Sequence, residues 1–382
     1  MDLELTESQL AFRDDFRSFL GRVLTQQFSD DFEGQRAWQR LLHSERWVAP
    51  HWPAEYGGRD ASIAEFAIWV TELGRARAPQ LANRVGMQTA GPMLIAHGNN
   101  EQRARYLPLI PSADEIWCQL FSEPGAGSDL AGLTTTARLD GDVWRVTGQK
   151  VWTSYGAQAD FGILLARTEP DAPMHRGISC FICDMHAPGV DPRPLRTITG
   201  DSEFAEVFLD DAPLPANALI GKRGEGWSVA NTGLGSERGL AFPLKEQAAL
   251  AILLDELLDG VRDGSITPSP VQRDRLARDI VNAHVFRLTN LRTVSELSQG
   301  RELGSWPSVV KLTWEETAQH LAETVFTLTG ARDSRTEQQR GGDLLHYRMA
   351  SIAAGTTQIQ RNIIGEQRLG LPREPRRTKE VR

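Results

Sequence analysis

Gln119-Leu-Phe-Ser-Glu-Pro-Gly-Ala-Gly-Ser-Asp129 follows closely on Ile116, where helical patterning gives way to strands. The stretch joins a strand end to a glycine turn. Gly125 and Gly127 supply φ freedom and a close backbone approach, while Ser122, Ser128 and successive N–H groups suit oxygen atoms or a pyrophosphate. A Pro-Gly-x-Gly-Ser run also fits a plain surface turn. A second stretch, Gly148-Gln-Lys-Val-Trp-Thr-Ser154, favours a cofactor loop, because it ends a strand on an aromatic plane and two hydroxyls. Together the two stretches suit a flat heteroaromatic ligand.

Outward from these stretches, Thr134 to Leu139 and Val143 to Thr147 flank Asp140-Gly141, a dipeptide that favours a tight hairpin turn. Further strand candidates are Phe161 to Arg167, Gly177 to Met185 and Glu203 to Leu209, separated by proline-rich turns. No long helix intervenes, so a small antiparallel β sandwich or barrel is expected over 116–220.

On the N-terminal side, residues 1–115 read as helical. Ser8 stands ahead of a run in which Leu10, Phe12, Phe16, Phe19 and Leu20 share one side. Helical patterning resumes from Ser62 to Arg75, Met87 to His97 and Glu101 to Leu109. Trp47 to Gly58 is an ordered, proline-rich connector in which His51 reads as structural.

On the C-terminal side, 221–382 reads as a helical domain, with helices over Gly226 to Ala241, Lys245 to Val261, Pro270 to Leu297, Pro307 to Leu328 and Leu344 to Arg368. In the third of these, Leu276, Ile280, Leu288, Leu291 and Val294 are expected to form the buried stripe. His284 falls in its gap as a core histidine. Arg373 to Arg382 is charged and apolar-poor, which predicts a frayed tail.

The composition narrows the function. A chain of 382 residues with 40% hydrophobic content supports two or three domains. Lys and Arg number 42 against 50 Asp and Glu, a net charge of -8, which disfavours nucleic acid and anionic membrane as partners. The N-terminus shows no signal-peptide pattern and no run approaches bilayer length, so a cytoplasmic protein without membrane insertion is expected. The cysteines are Cys118, Cys180 and Cys183. The last two form a CxxC inside an apolar run, where a strand would point them to opposite faces, so core packing rather than a metal site is expected.

A helix, β, helix chain of this length with these stretches resembles the acyl-CoA dehydrogenase family of flavoproteins. The pieces that carry the resemblance are Ser122 to Asp129, Gly148 to Ser154 and Ala354-Gly-Thr-Thr-Gln-Ile-Gln-Arg361. Support comes from Trp52-Pro-Ala-Glu-Tyr-Gly-Gly58 and from Gly91-Pro through His97-Gly to Tyr106-Leu-Pro108. The resemblance implies an N-terminal helical domain, a middle β domain, a C-terminal four-helix bundle, and FAD held between domains and subunits.

Carried over by residue, Ser122 and the backbone around Phe121 contact the flavin ring, with Gln119 in the same stretch. Gly127 and Ser128 lie near the pyrophosphate and the pantetheine arm of the substrate. Trp152 packs on the flavin, Thr153 sits beside it, and Ser154 supplies a hydroxyl near the reactive nitrogen. Thr356 and Gln358 match positions that touch FAD. The implied reaction is α,β-desaturation of an acyl-CoA thioester, with a carboxylate taking the α proton as the β hydride passes to flavin N5. The usual place for that base, just before the Gly-Thr of the closing helix, holds Ala354, whose N–H remains able to polarise the thioester carbonyl. In a subset that includes isovaleryl-CoA dehydrogenase, the base lies in a Glu-Arg pair on the first C-terminal-domain helix. Gly235-Ser-Glu-Arg-Gly239 matches it, which makes Glu237 the candidate base and places Arg238 on the CoA side. Gly233, Gly235 and Gly239 suggest a helix face flat enough for an acyl chain, although helix-end fraying also explains them.

Two family features are missing. The Arg-x-x-Phe-Gly stretch that holds FAD across the subunit interface is absent from Leu258 to Pro270, and the Gln-x-x-Gly-Gly signature is eroded around Thr327 to Gly330. This pattern resembles an actinobacterial branch of α2β2 heterotetramers, some of which act on bulky steroid side-chain CoA thioesters. A homologous partner chain is therefore expected, with electron-transferring flavoprotein as acceptor. A mainly structural subunit of a heteromeric enzyme and a related flavin monooxygenase or oxidase remain alternative readings.

Overall fold

The computed structural model describes residues 4–329 and 344–373, apart from the side chains of residues 236–239. Gly330 and the tail beyond Arg373 therefore lie outside the described residues. The chain forms two compact units, one running from Thr6 to Glu237 and the other beginning at Arg238 and including Glu4 and Leu5.

The first unit opens with α1 (Glu7–Val23), capped by Thr6. Gln9 at the third helical position decides this: Thr6 Oγ1 accepts its N–H at 3.3 Å, and its side chain accepts the Thr6 N–H at 3.0 Å. Of the expected stripe, Phe16, Phe19 and Leu20 are buried, with Phe16 4.6 Å from the Trp47 ring. Then come α2 (Phe32–Ser44), which the sequence reading did not delimit, and α3 (Ile63–Arg75), capped by Ser62. A short π-helical turn (Gly86–Ala90) leads into α4 (Gly91–His97) and α5 (Asn100–Tyr106). A Cβ at Gly58 would sit 1.8 Å from the Trp52 carbonyl oxygen, and one at Gly91 2.2 Å from the Trp52 ring. These glycines let two separate segments close on the same tryptophan.

The fully buried Asn83 ties these helices to the sheet. Its amide donates to the carbonyls of Ile110 and Glu115, and its oxygen accepts the Trp117 N–H at 2.9 Å. It thereby fixes where β1 (Trp117–Leu120) begins.

Seven further strands follow: β2 (Thr136–Asp140), β3 (Val143–Ser154), β4 (Phe161–Arg167), β5 (Ile178–Asp184), β6 (Val190–Leu195), β7 (Phe204–Pro215) and β8 (Leu219–Ile220). Their order is β6-β7-β3-β2-β4-β5-β8, with β1 alongside β4. The Asp140-Gly141 hairpin forms, Asp140 facing Val143 and Gly141 at φ 61°. Most pairs are antiparallel; β1 runs parallel to β4, and β2 meets β4 through the single parallel pair Thr136 and Arg167. One side of the sheet buries Cys118, Trp144, Val146, Phe181, Cys183 and Val207. All three thiols are buried and none is in a disulfide, and burial pushes each of them up, Cys183 to about 12.

Helix α6 (Gly226–Gly239) begins in the first unit, whose last residue is Glu237. The second unit holds α7 (Ala241–Arg262), α8 (Pro270–Ser298) and α9 (Trp306–Thr329), packed around Leu250, Phe286, Trp314 and Leu321. Helix α8 does not bury the apolar stripe expected from its sequence. Its buried face is Leu276, Asp279, Phe286, Asn290 and Thr293, while Ile280, Leu288 and His284 are exposed. Hydrogen bonding explains the difference: Asn290 donates to the Pro243 carbonyl and to Gln247, and Trp306 donates to Thr293 Oγ1. With these bonds made, polar side chains pack inward and an apolar stripe is left outward.

The expected single helix from Leu344 to Arg368 is also broken. Ala354 and Gly355 adopt φ of 54° and 91°, and a new helix (Thr357–Ile363) starts under the Thr356 cap, followed by a π-helical turn to Arg368.

Candidate active site

The two motif stretches lie side by side in the first unit. The Ser122 carbonyl accepts the Val151 N–H at 2.9 Å, one residue before Trp152. Glu123 and Ala126 exchange backbone hydrogen bonds of 3.2 and 3.0 Å, closing the turn over Pro124 and Gly125. Gly125 and Gly127 both keep negative-side or extended φ rather than using the left-handed region open to glycine, and a Cβ at either would meet nothing within 4 Å. The space over this turn is open, and Gly127 and Ser128 are exposed.

Trp152 owes its orientation to a break in strand register. Along β3, Trp144, Val146 and Lys150 point inward on the even positions. Between Lys150, which faces Val207, and Thr153, which faces Ala205, the two residues Val151 and Trp152 stand opposite the single Glu206. The bulge reverses the alternation, so that Thr153 turns inward and Trp152 outward. Trp152 is left-handed at φ 60° and 63% exposed, its ring edge-on to Phe204 at 6.0 Å. The Thr153 side chain is fully buried. Gln119, Ser122 and Ser154 are half-buried, and Phe121 is buried.

Beneath the stretches lies a charged pair that the sequence reading passed over. Lys150 Nζ, with no exposed surface, donates to Glu123 Oε1 at 2.9 Å and to the Phe121 carbonyl at 3.1 Å. The Glu123 carboxylate also accepts the N–H and hydroxyl of Thr134 at 2.7 Å and the Thr135 N–H at 2.9 Å. Burial pushes Glu123 up, but the Lys150 charge and the bonds from Thr135, Lys150 and Thr134 outweigh it and hold the carboxyl at about 2. On Lys150 burial wins over the attraction of Glu123, bringing the ammonium down to about 8. A lysine at an inward strand position was the available signal, because an isolated charge is not tolerated there.

The arrangement fits a flat, uncharged ring. An exposed indole plane, a serine hydroxyl and open space over the turn face outward, while the buried Lys150 and Glu123 charges beneath are paired with each other.

Glu237 and Arg238 stand in the last turn of α6, and their side chains lie outside the described residues. Of the glycines around them, Gly233 is required by packing, because a Cβ would meet Met93 Sδ at 2.5 Å and Thr89 at 3.0 Å; Gly235 is open, with nothing within 4 Å. The preceding residue, Thr232, is bonded to His97 Nε2 at 2.7 Å.

The second unit contains Ala354, Thr356 and Gln358. Gln360 Nε2 donates to the Ala354 and Gly355 carbonyls at 2.9 and 3.3 Å, and a Cβ at Gly355 would sit 2.5 Å from that nitrogen. Thr356 caps the closing helix by accepting the Ile359 N–H, and Gln358 is exposed. Thr357 Oγ1 donates to the buried Glu315, which is paired with Lys311.

Comparison with known proteins agrees with this architecture. The acyl-CoA dehydrogenase N-terminal, middle and C-terminal domain families match residues 6–114, 118–212 and 224–369. The acyl-CoA dehydrogenase IpdE1 of Mycobacterium tuberculosis is 39% identical over 347 residues, 90% of this chain and 89% of its own. Among solved structures, the Tcur3481-Tcur3483 steroid ACAD superposes with a TM-score of 0.87 at 28% identity, over 98% of this chain and 100% of its own. The ChsE4-ChsE5 complex from Mycobacterium tuberculosis gives 0.84 at 28%, with the same coverage of both chains. Among the described residues, no helix is long and apolar enough to cross a membrane.

Proposed function

The chain belongs to the acyl-CoA dehydrogenase family, and from that premise we propose that it desaturates a bulky, steroid-type acyl-CoA thioester, with Glu237 as the base. It is an oxidoreductase acting on acyl-CoA, and its cofactor is FAD. The observation that carries the reading is the exposed Trp152 ring, turned out by the β3 bulge beside the Ser122 stretch. Ser122 and the main chain around Phe121 bind the ring edge, Trp152 covers its face, and Gly127 and Ser128 leave room for the pyrophosphate. Ser154 adds a hydroxyl beside Trp152, and in the second unit Thr356 and Gln358 match family positions that touch FAD.

FAD, when bound, supplies the acceptor for the β hydride. Glu237 takes the α proton, which the thioester acidifies. The Ala354 N–H polarises the thioester carbonyl and Arg238 serves the CoA side. The open side of Gly235 on the helix that carries Glu237 supports a bulky acyl group.

The likeness to the Tcur3481-Tcur3483 and ChsE4-ChsE5 assemblies supports a homologous partner chain, as does the apolar stripe of Val281, Val285 and Leu288 on α8, each exposed in the single chain. Electron-transferring flavoprotein is the proposed acceptor.

Anaerobic bleaching of the flavin by a panel of acyl-CoA thioesters tests the reading, with wild type and Glu237→Gln each purified alone and with a co-expressed homologous chain. Bleaching by steroid-type thioesters, lost in Glu237→Gln with FAD retained, is the expected result. Unchanged bleaching in the variant removes Glu237 from the mechanism. Absence of FAD from every preparation favours a supporting subunit.

A further inference from the structure

The Lys150 and Glu123 pair does not face the ligand space, yet it holds both walls that do. Three bonds from consecutive β3 residues bracket Ser122: Lys150 to the Phe121 carbonyl, Val151 N–H to the Ser122 carbonyl, and Lys150 to the Glu123 carboxylate. Glu123 then extends the brace to Thr134 and Thr135, at the entry to β2. On the other side, Lys150 is the last residue of β3 in register before the bulge that turns Trp152 outward. A fold-stabilising ion pair has no need to straddle the residue that meets a ligand. This one does so from within two residues of the aromatic wall.

We propose that Lys150 and Glu123 are positioning residues that set the spacing between the Ser122 rim and the Trp152 plane, and through it the placement of the flavin ring. The proposal rests on the reading that these stretches hold FAD. An ammonium is suited to the task because one buried nitrogen can donate to a carbonyl and a carboxylate at once. A neutral glutamine in place of Glu123 would keep one acceptor but present an NH2 group toward the Thr134 and Thr135 donors. Ser122 would then shift relative to Trp152 without either residue being altered.

The test uses the holoenzyme, with its partner chain if one is needed, and compares wild type with Glu123→Gln and Lys150→Arg. Lys150→Arg keeps the charge and the donors but changes the reach, and so provides a folded variant if Glu123→Gln does not fold. In each folded variant the flavin absorption band and visible circular dichroism are expected to shift and kcat to fall at least about 10-fold, with KM for the thioester changing less than about 3-fold. FAD bound with wild-type spectra, reduction potential and kcat, alongside a lowered melting temperature, overturns the positioning role and leaves a structural ion pair. Wild-type protein that binds no FAD overturns the flavin-site reading itself, and this role with it.

Discussion

Lys150 Nζ lies 2.9 Å from the Glu123 carboxylate across 27 residues of chain, with Lys150 fully buried and Glu123 5% exposed. Because the folded state lowers the Glu123 pKa to about 2, its stabilisation is complete above the unfolded carboxylate value near 4.5 and is lost as pH falls through about 2. Glu123→Gln should therefore show a flatter acid limb in melting temperature against pH. At neutral pH, Lys150→Met should cost about 3–5 kcal/mol, since it leaves a buried carboxylate unpaired. The double variant Glu123→Met, Lys150→Met should be less destabilised than Lys150→Met alone, as thermal melts would show.

His51 packs its ring against Phe66 at 4.0 Å between centroids, and its Nδ1 has no partner among the described residues. Burial holds it neutral, with the pKa down to about 4 from 6.5. Its contribution is present above pH 6.5 and falls away as pH drops through 4, by up to about 3 kcal/mol. His51→Phe should retain melting temperature through that window while wild type loses it.

Trp152 combines a left-handed backbone with a ring 63% exposed, so little of the fold depends on its side chain. Trp152→Gly relieves the backbone and should change stability by no more than about 1 kcal/mol. FAD affinity should nevertheless fall at least about 10-fold, measured by titrating apoprotein with FAD. A stability loss matching a core tryptophan would show that the ring is structural instead.

Gly233 and Gly235 share α6 but should respond in opposite directions to alanine. At Gly233 the new methyl meets Met93 and Thr89 and should cost about 1–3 kcal/mol. At Gly235 it meets nothing, and the gain in helix propensity should approach about 1 kcal/mol. Thermal melts of the two variants would distinguish a packed glycine from an open one.

Much of the architecture was legible in the chain. Local chemistry is sufficient to place the Asp140-Gly141 hairpin, the strand from Phe161 to Arg167, the buried cysteines of β5 and the helix capped by Ser62. In each case the determining residues are neighbours in sequence, and the family resemblance of Ser122 to Asp129 and Gly148 to Ser154 rests on contiguous motifs. The stripe assigned to α8 failed for the converse reason. Asn290 and Thr293 turn inward because Pro243, Gln247 and Trp306 offer them hydrogen bonds, and those partners are distant in sequence. The closing helix likewise breaks at Ala354 and Gly355, where Gln360 folds back on their carbonyls.

Residue types alone specify what lines the proposed flavin site: an aromatic plane, hydroxyls and a glycine turn. Their directions come from long-range strand pairing. The alternation of β3 alone would carry Trp152 inward with Trp144 and Lys150, and the bulge against Glu206 reverses it. That reversal depends on pairing with β7, more than fifty residues away, and strand periodicity holds only while register is unbroken. The Lys150 and Glu123 bond is of the same kind, because a charge buried by one segment has to be satisfied by another.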